Sequence, residues 1–171
     1  DVDYNTPRGL DKTYFERLLS LEFIKKNQNI LLLGATSVGK SYLAQAIGHH
    51  ACTMLYKTLY YKISQLMESL KLAKVNGTYL KTLKKLQKVP LLILDDFGLH
   101  PFDNTSREAL MDLIEEQDYK ASTIIASQIP VSSWHELIGE STIAGAVLDR
   151  LVNASHRIEL SGESLRKNHK K

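Results

Sequence analysis

The sequence predicts an α/β domain in which a parallel sheet carries helices over both faces. Three observations predict it. Short apolar strands alternate with helical segments along the chain. A glycine-rich loop, Gly34 to Ser41, stands between a strand and a helix. The apolar run Pro90 to Leu94 ends in two acids, Asp95 and Asp96. Strands buried on both faces read as continuous apolar runs of this kind, so their charged residues belong at the strand ends.

Taken in order, Asp11 to Ile24 reads as a helix, with Asp11 as its N-cap and Phe15, Leu18, Leu19 and Phe23 near helical spacing. Asn29 to Leu33 is a short strand that stops at Gly34, and Ser41 to Ala51 continues as a helix. Thr58 to Ile63 has a β-rich composition, and Ser64 is placed to cap a helix from Gln65 to Lys74. Asn76-Gly77 marks a turn before a helix from Tyr79 to Lys88. After the Pro90 to Leu94 strand come a helix from Thr105 to Tyr119 and a third apolar strand, Ser122 to Ala126. A loop and helix surround Trp134, a helix runs from Thr142 to Asn153, and His156 to Leu160 is the last strand. No repeat or Pro/Gly/Ser linker divides the chain, so residues 1–171 read as one domain, with 161–171 as a basic tail.

The chain has 171 residues, 43% hydrophobic and 24% charged, which excludes wholesale disorder. Apolar runs such as Ile30 to Leu33 fall far short of the roughly 18–20 residues of a membrane span. The opening DVDYNTPRGL lacks the basic start and apolar stretch of a signal peptide. Cys52 is the lone cysteine and cannot form an internal disulfide, which fits a reducing cytoplasm. No membrane partner is expected. Net charge is only +3, but its distribution is uneven. Lys81, Lys84, Lys85 and Lys88 fall in a stretch without acids, and the ending RKNHKK holds four basic residues and no acid.

The loop fits G-x-x-x-x-G-K-[ST] across Gly34, Ala35, Thr36, Ser37, Val38, Gly39, Lys40 and Ser41. Glycines allow the backbone to curl around phosphate oxygens, and the loop amides and helix N-terminus supply positive potential. Lys40 is placed to reach the β and γ phosphates of a nucleotide, and the Ser41 hydroxyl to join a Mg²⁺ shell. In an open α/β sheet ligands bind at the carboxyl ends of the strands. Asp95 is therefore assigned to the Mg²⁺ shell through water, and Asp96 to orienting or deprotonating the attacking water. Asp96 is one methylene shorter than the glutamate most such ATPases carry, so either slow turnover or a differently held water is expected. Gln128, or Ser127, at the end of the third strand is placed to sense the γ-phosphate. Arg150, in LDRL, reads either as an arginine finger for a neighbouring subunit or as a surface ion pair with Asp149 or Glu159. Arg166 is a second arginine candidate.

These pieces in this order resemble an AAA+ ATPase. The nearest likeness is to the IstB-type ATPases of insertion-sequence transposition, and next to the DnaC/DnaI helicase loaders. It is carried by RGLDKTYFERLLSLEFIKKNQNILLLGATSVGKSYLAQAIG, LLILDDFG, IIASQIPVSSWHELIGE and LDRLVNASHRIELSGESLRK. The resemblance implies a five-stranded P-loop fold with little or no C-terminal lid. It implies that Gly34 to Ser41 is the Walker A loop, Asp95 and Asp96 Walker B, Gln128 the first sensor and Arg150 the arginine finger. Arg166 matches the late arginine of the family, a nucleotide-site residue there. Such proteins oligomerise through their ATP sites, bind DNA and pass a target to a transposase, in the bacterial cytoplasm and at the nucleoid. They also carry a further N-terminal segment, so the resemblance implies a truncated chain.

Lys81, Lys84, Lys85 and Lys88 recur at i, i+3, i+4 and i+7, which places four ammonium groups on one helical face. Such a face is either simply solvated or matched by an anion, and DNA phosphates would supply that anion without base specificity. The resemblance favours DNA. Two other functions compete with a transposition ATPase. One is a helicase loader. The other is a nucleotide kinase, which would need an arginine-rich lid, and the segment from Lys71 to Lys88 has none. His49, His50 and Cys52 lie close together without a second ligand cluster, and Trp134 reads as a packing residue.

Overall fold

The computed structural model describes residues 12–35, 39–116, 121–153 and 155–160. Five strands form one parallel sheet: β1 (Asn29–Leu33), β2 (Thr58–Lys62), β3 (Leu91–Asp95), β4 (Ser122–Ser127) and β5 (Ser155–Glu159). Their spatial order is β2-β3-β4-β1-β5, so the loop-bearing strand and both site strands β3 and β4 lie centrally. Eight α-helices are described: α1 (Lys12–Leu19), α2 (Glu22–Lys25), α3 (Lys40–Thr53), α4 (Ile63–Asn76), α5 (Tyr79–Gln87), α6 (Asn104–Glu116), α7 (Trp134–Ile138) and α8 (Ser141–Val152).

The alternation of side chains along each strand divides the core in two. Ile30, Leu32, Leu91, Ile93, Ile124 and Ala126 face α1, α2 and α3, meeting Phe15, Leu43 and Ile47. Leu31, Leu33, Leu92, Leu94 and Ile125 face the other way, against Leu66, Leu70, Leu86, Leu110 and Val147 from α4, α5, α6 and α8. Both faces being covered explains why β3 and β4 are buried along their whole length. None of the described helices is long and apolar enough to cross a membrane.

Most boundaries follow the sequence pattern, and the departures have visible causes. The segment expected as one helix from Asp11 to Ile24 is broken. Leu21 adopts a left-handed φ of 62° and separates α1 from α2. The break turns the chain so that Leu21, Phe23 and Ile24 all reach the core, and Ser122 Oγ and the Gln28 amide both donate to Phe23 O. The expected cap Asp11 lies outside the described residues. Helix α4 starts at Ile63 rather than after Ser64, because burying Ile63 against the sheet outweighs a side-chain cap; Lys62 holds the cap position with no side-chain bond. Helix α6 starts one residue earlier than expected, with Asp103 Oδ1 accepting the Ser106 amide at 2.8 Å. Asn76-Gly77 forms the expected turn, with Gly77 at φ 73°.

The segment after β4 is anchored by aromatics. The Trp134 ring is wholly buried, lies 4.7 Å from Phe97, and donates from Nε1 to Ile129 O at 2.9 Å. Phe102 also packs on Phe97, at 5.5 Å. Trp134→Ala is expected to cost about 3–5 kcal/mol of stability, the range for emptying a large buried aromatic site. Urea unfolding of the two proteins measures it, and a loss below about 1 kcal/mol would contradict this packing.

Candidate functional site

The glycine-rich loop leaves β1 at Gly34, whose amide donates to Ser127 O at 3.2 Å. Gly34 has φ 138°, and a Cβ there would sit 2.4 Å from the Leu160 carbonyl oxygen. Leu160 is held in place by its own amide, which donates to Leu33 O at 2.7 Å. Only glycine fits between these two backbones. The loop closes into α3, which begins at Lys40. Ser41 lies in its first turn, where amides point outward without helical partners. Thr36, Ser37 and Val38 of the expected loop lie outside the described residues, as does Arg166.

Lys40 is only 6% exposed and donates to Ala35 O at 3.0 Å. Burial pushes its ammonium below the usual lysine range, while the Asp95 and Asp96 carboxylates pull it back up. Asp95 is 2% exposed at the last position of β3, on the face of Leu91 and Ile93 that packs toward α3. Both its oxygens are engaged. The Asp96 amide donates to Oδ1 at 2.8 Å, and the Tyr60 hydroxyl from β2 donates to Oδ2. Asp96 itself has φ 57°, a left-handed conformation that aspartate tolerates better than most residues.

Register explains why β4 contributes here. Leu33 pairs with Ser127, so Gly34 and Gln128 leave the sheet side by side. Of the two polar candidates, Ser127 is turned into the protein. Its hydroxyl donates to Phe97 O at 2.6 Å and accepts the Ile129 amide at 3.0 Å. Half-buried Gln128 is left as the side chain at this edge.

Arg150 lies elsewhere. Asn29, the first residue of β1, donates from Nδ2 to Arg150 O at 3.2 Å, and Arg150 Nη1 donates to Glu115 O at 2.8 Å in the last turn of α6. This is the amino edge of the sheet. At about 3.3 Å per residue along β1, it lies roughly 16 Å from Gly34. Arg150 therefore does not reach the loop of its own chain. Lys81, Lys84 and Lys85 on α5 and Lys88 just beyond it are all exposed, across the sheet from α3. Among the described residues no carboxylate pairs with them, whereas Lys71 and Lys74 on α4 pair with Asp103 and Glu108.

A buried ammonium in the first turn of a helix, where the backbone amides lack helical partners, suits a polyphosphate. A buried carboxylate beside it suits a hydrated divalent cation. The residue that the sequence pattern missed is Tyr60, which reads there as an ordinary strand residue. Its signal lay in the pairing of β2 with β3, which sets Lys62 beside Asp95 and Tyr60 beside Ile93, on the same face as Asp95.

Comparison with known proteins fits this geometry. The family model described as "IstB-like ATP binding protein" matches residues 1–171, the whole chain. The chain belongs to that family. An insertion sequence ATP-binding protein of Sinorhizobium fredii is 46% identical over 171 residues, which are 100% of this chain and 70% of that protein. The fold of this IstB-like chain is shared with DnaI, at TM-score 0.78 and 22% identity over 94% of this chain and 89% of that one. It is shared also with the DnaC helicase loader, at TM-score 0.71 and 19% identity over 87% of each chain. The chain thus combines the fold of DnaI and DnaC with membership of a family of ATP-binding proteins.

The close approach at Gly34 is directly testable. Gly34→Ala is expected to lose roughly 1–3 kcal/mol, the cost of forcing a side chain into such a backbone conformation. Urea unfolding reads it, and full native stability would show that the Leu160 carbonyl does not constrain the loop.

Proposed function

We propose that this IstB-like domain is an ATP-hydrolysing switch that binds target DNA as an oligomer joined through its ATP sites and recruits or stimulates a transposase. The observation that carries the reading is the pair of buried, opposite charges at the sheet edge, Lys40 and Asp95. In this reading the residues of Gly34 to Ser41 cradle the triphosphate and Lys40 binds its terminal phosphates. Magnesium, when bound, supplies further neutralisation of the phosphate charge. Ser41 and Asp95 are the residues that would hold it, Asp95 through water. Asp96 orients the attacking water or takes its proton, and Gln128 reads the presence of the γ-phosphate. Arg166 is assigned to the same nucleotide site.

The position of Arg150 at the amino edge supports a role toward a second copy, because its own loop is out of reach. Its guanidinium would complete the neighbour's site and stabilise charge on the transferred phosphoryl group. The exposed lysines Lys81, Lys84, Lys85 and Lys88 would bind duplex phosphates, away from the nucleotide. The setting would be the bacterial cytoplasm, at the nucleoid. A role as a helicase loader has the shared fold in its favour, at 22% identity; the family match favours transposition.

Mixing two inactive variants tests the shared site. Arg150→Ala is expected to keep ATP binding and lose about 10³-fold or more in turnover. Asp96→Asn is expected to lose turnover too, without backbone strain, because asparagine also tolerates the left-handed conformation. Mixed together they should recover part of the wild-type ATPase rate, since some interfaces then pair an intact arginine with an intact carboxylate. No recovery at any ratio would exclude an arginine acting between copies.

The lysine face has its own readout. Replacing Lys81, Lys84, Lys85 and Lys88 by alanine should make the log–log salt dependence of duplex binding shallower by about 3–4, close to 0.9 for each phosphate no longer neutralised. An unchanged slope would exclude these lysines as phosphate ligands.

A further inference from the structure

Tyr60 stands on the edge strand β2 and donates its hydroxyl proton to Asp95 Oδ2, across the strand pair that sets Lys62 beside Asp95. With the Asp96 amide on Oδ1, each oxygen of this carboxylate carries one fixed hydrogen bond. A carboxylate oxygen has two lone pairs, so each keeps one for a further ligand, and its direction is set by the bond already made. Asp95 is too buried for bulk water to perform that orientation. The Gln45 side chain of α3 also hydrogen-bonds the Tyr60 hydroxyl, so the phenol is held from both the sheet and the helix.

We propose that Tyr60 is a positioning residue for the metal shell of the nucleotide site: its hydroxyl turns the Asp95 carboxylate so that the remaining lone pairs face the water shell of the magnesium that accompanies ATP. This rests on the nucleotide reading above and names a residue that the glycine-rich loop and the acidic strand end do not include. The side chain stands beside Gln45 of α3, and the hydroxyl alone does the orienting. Outer-shell partners of this kind typically alter metal affinity about 10–100-fold.

Tyr60→Phe removes the hydroxyl and keeps the ring. ATP affinity is measured by calorimetry on the whole chain, once with Mg²⁺ and once with a chelator, and ATPase rate is measured as Mg²⁺ is varied. The variant is expected to bind ATP as the wild type does in chelator, to lose about tenfold of the affinity gained from Mg²⁺, and to need about tenfold more Mg²⁺ for half-maximal rate. At saturating Mg²⁺ its maximal rate should return to near wild type. Combining it with Asp95→Asn should cause no further loss of the Mg²⁺ effect, because both changes act on one carboxylate. If wild type gains affinity from Mg²⁺ and Tyr60→Phe gains equally, the proposal is overturned while the nucleotide reading stands. Additive losses in the double variant overturn it as well. If wild type itself gains nothing from Mg²⁺, the nucleotide reading fails and this proposal with it.

Discussion

The site depends on burying one ammonium and one carboxylate at the same edge of a sheet. Lys40 and Asp95 are nearly removed from solvent, and desolvating either alone would cost several kcal/mol. A parallel sheet covered on both faces makes the burial possible, because its strand ends converge under the first turn of a helix while their flanks stay dry. The Asp95 and Asp96 charges oppose the tendency of burial to neutralise Lys40. Backbone supplies the rest. Ala35 O takes the ammonium and the Asp96 amide takes one carboxylate oxygen.

Much of this was legible in the sequence. The loop, the acidic strand end and the central strands β1, β3 and β4 follow from apolar runs punctuated by glycine and aspartate, because a strand buried on both faces leaves few places for polar residues; the half-exposed edge strands β2 and β5 show only in their β-rich composition and place. The features that local pattern does not reveal depend on tertiary contacts. Nothing local in LLSLEF announces the left-handed Leu21; the break exists because Phe23 has to reach β4. The choice between Ser127 and Gln128 turns on which side chain the Phe97 and Ile129 backbones capture. Tyr60 is silent in the sequence because its partner lies 35 residues away and only the pairing of β2 with β3 brings them together. For Arg150 the sequence offers Asp149 and Glu159 as neighbours, whereas the fold gives its guanidinium the Glu115 carbonyl on another helix.

The charged features sort onto separate parts of the fold. The glycine-rich loop's described ends and the acidic strand end occupy the carboxyl edge, Arg150 the amino edge, and the lysines the outside of α5. Under the proposed mechanism a donor at one end and an acceptor at the other make the interface between copies heterologous. Copies would then add head to tail, and the assembly closes into a ring only if the rotation per step divides a full turn.

The chain contains a single tryptophan, and its place in the fold gives it a further use. Trp134 touches Phe97, the residue after Asp96, and is tied to Ile129, the residue after Gln128. Its indole thus senses both polar strand ends from the dry side. Any shift of either one changes the surroundings of the chain's one indole fluorophore. These 171 residues carry their own optical gauge of that sheet edge, requiring no attached dye.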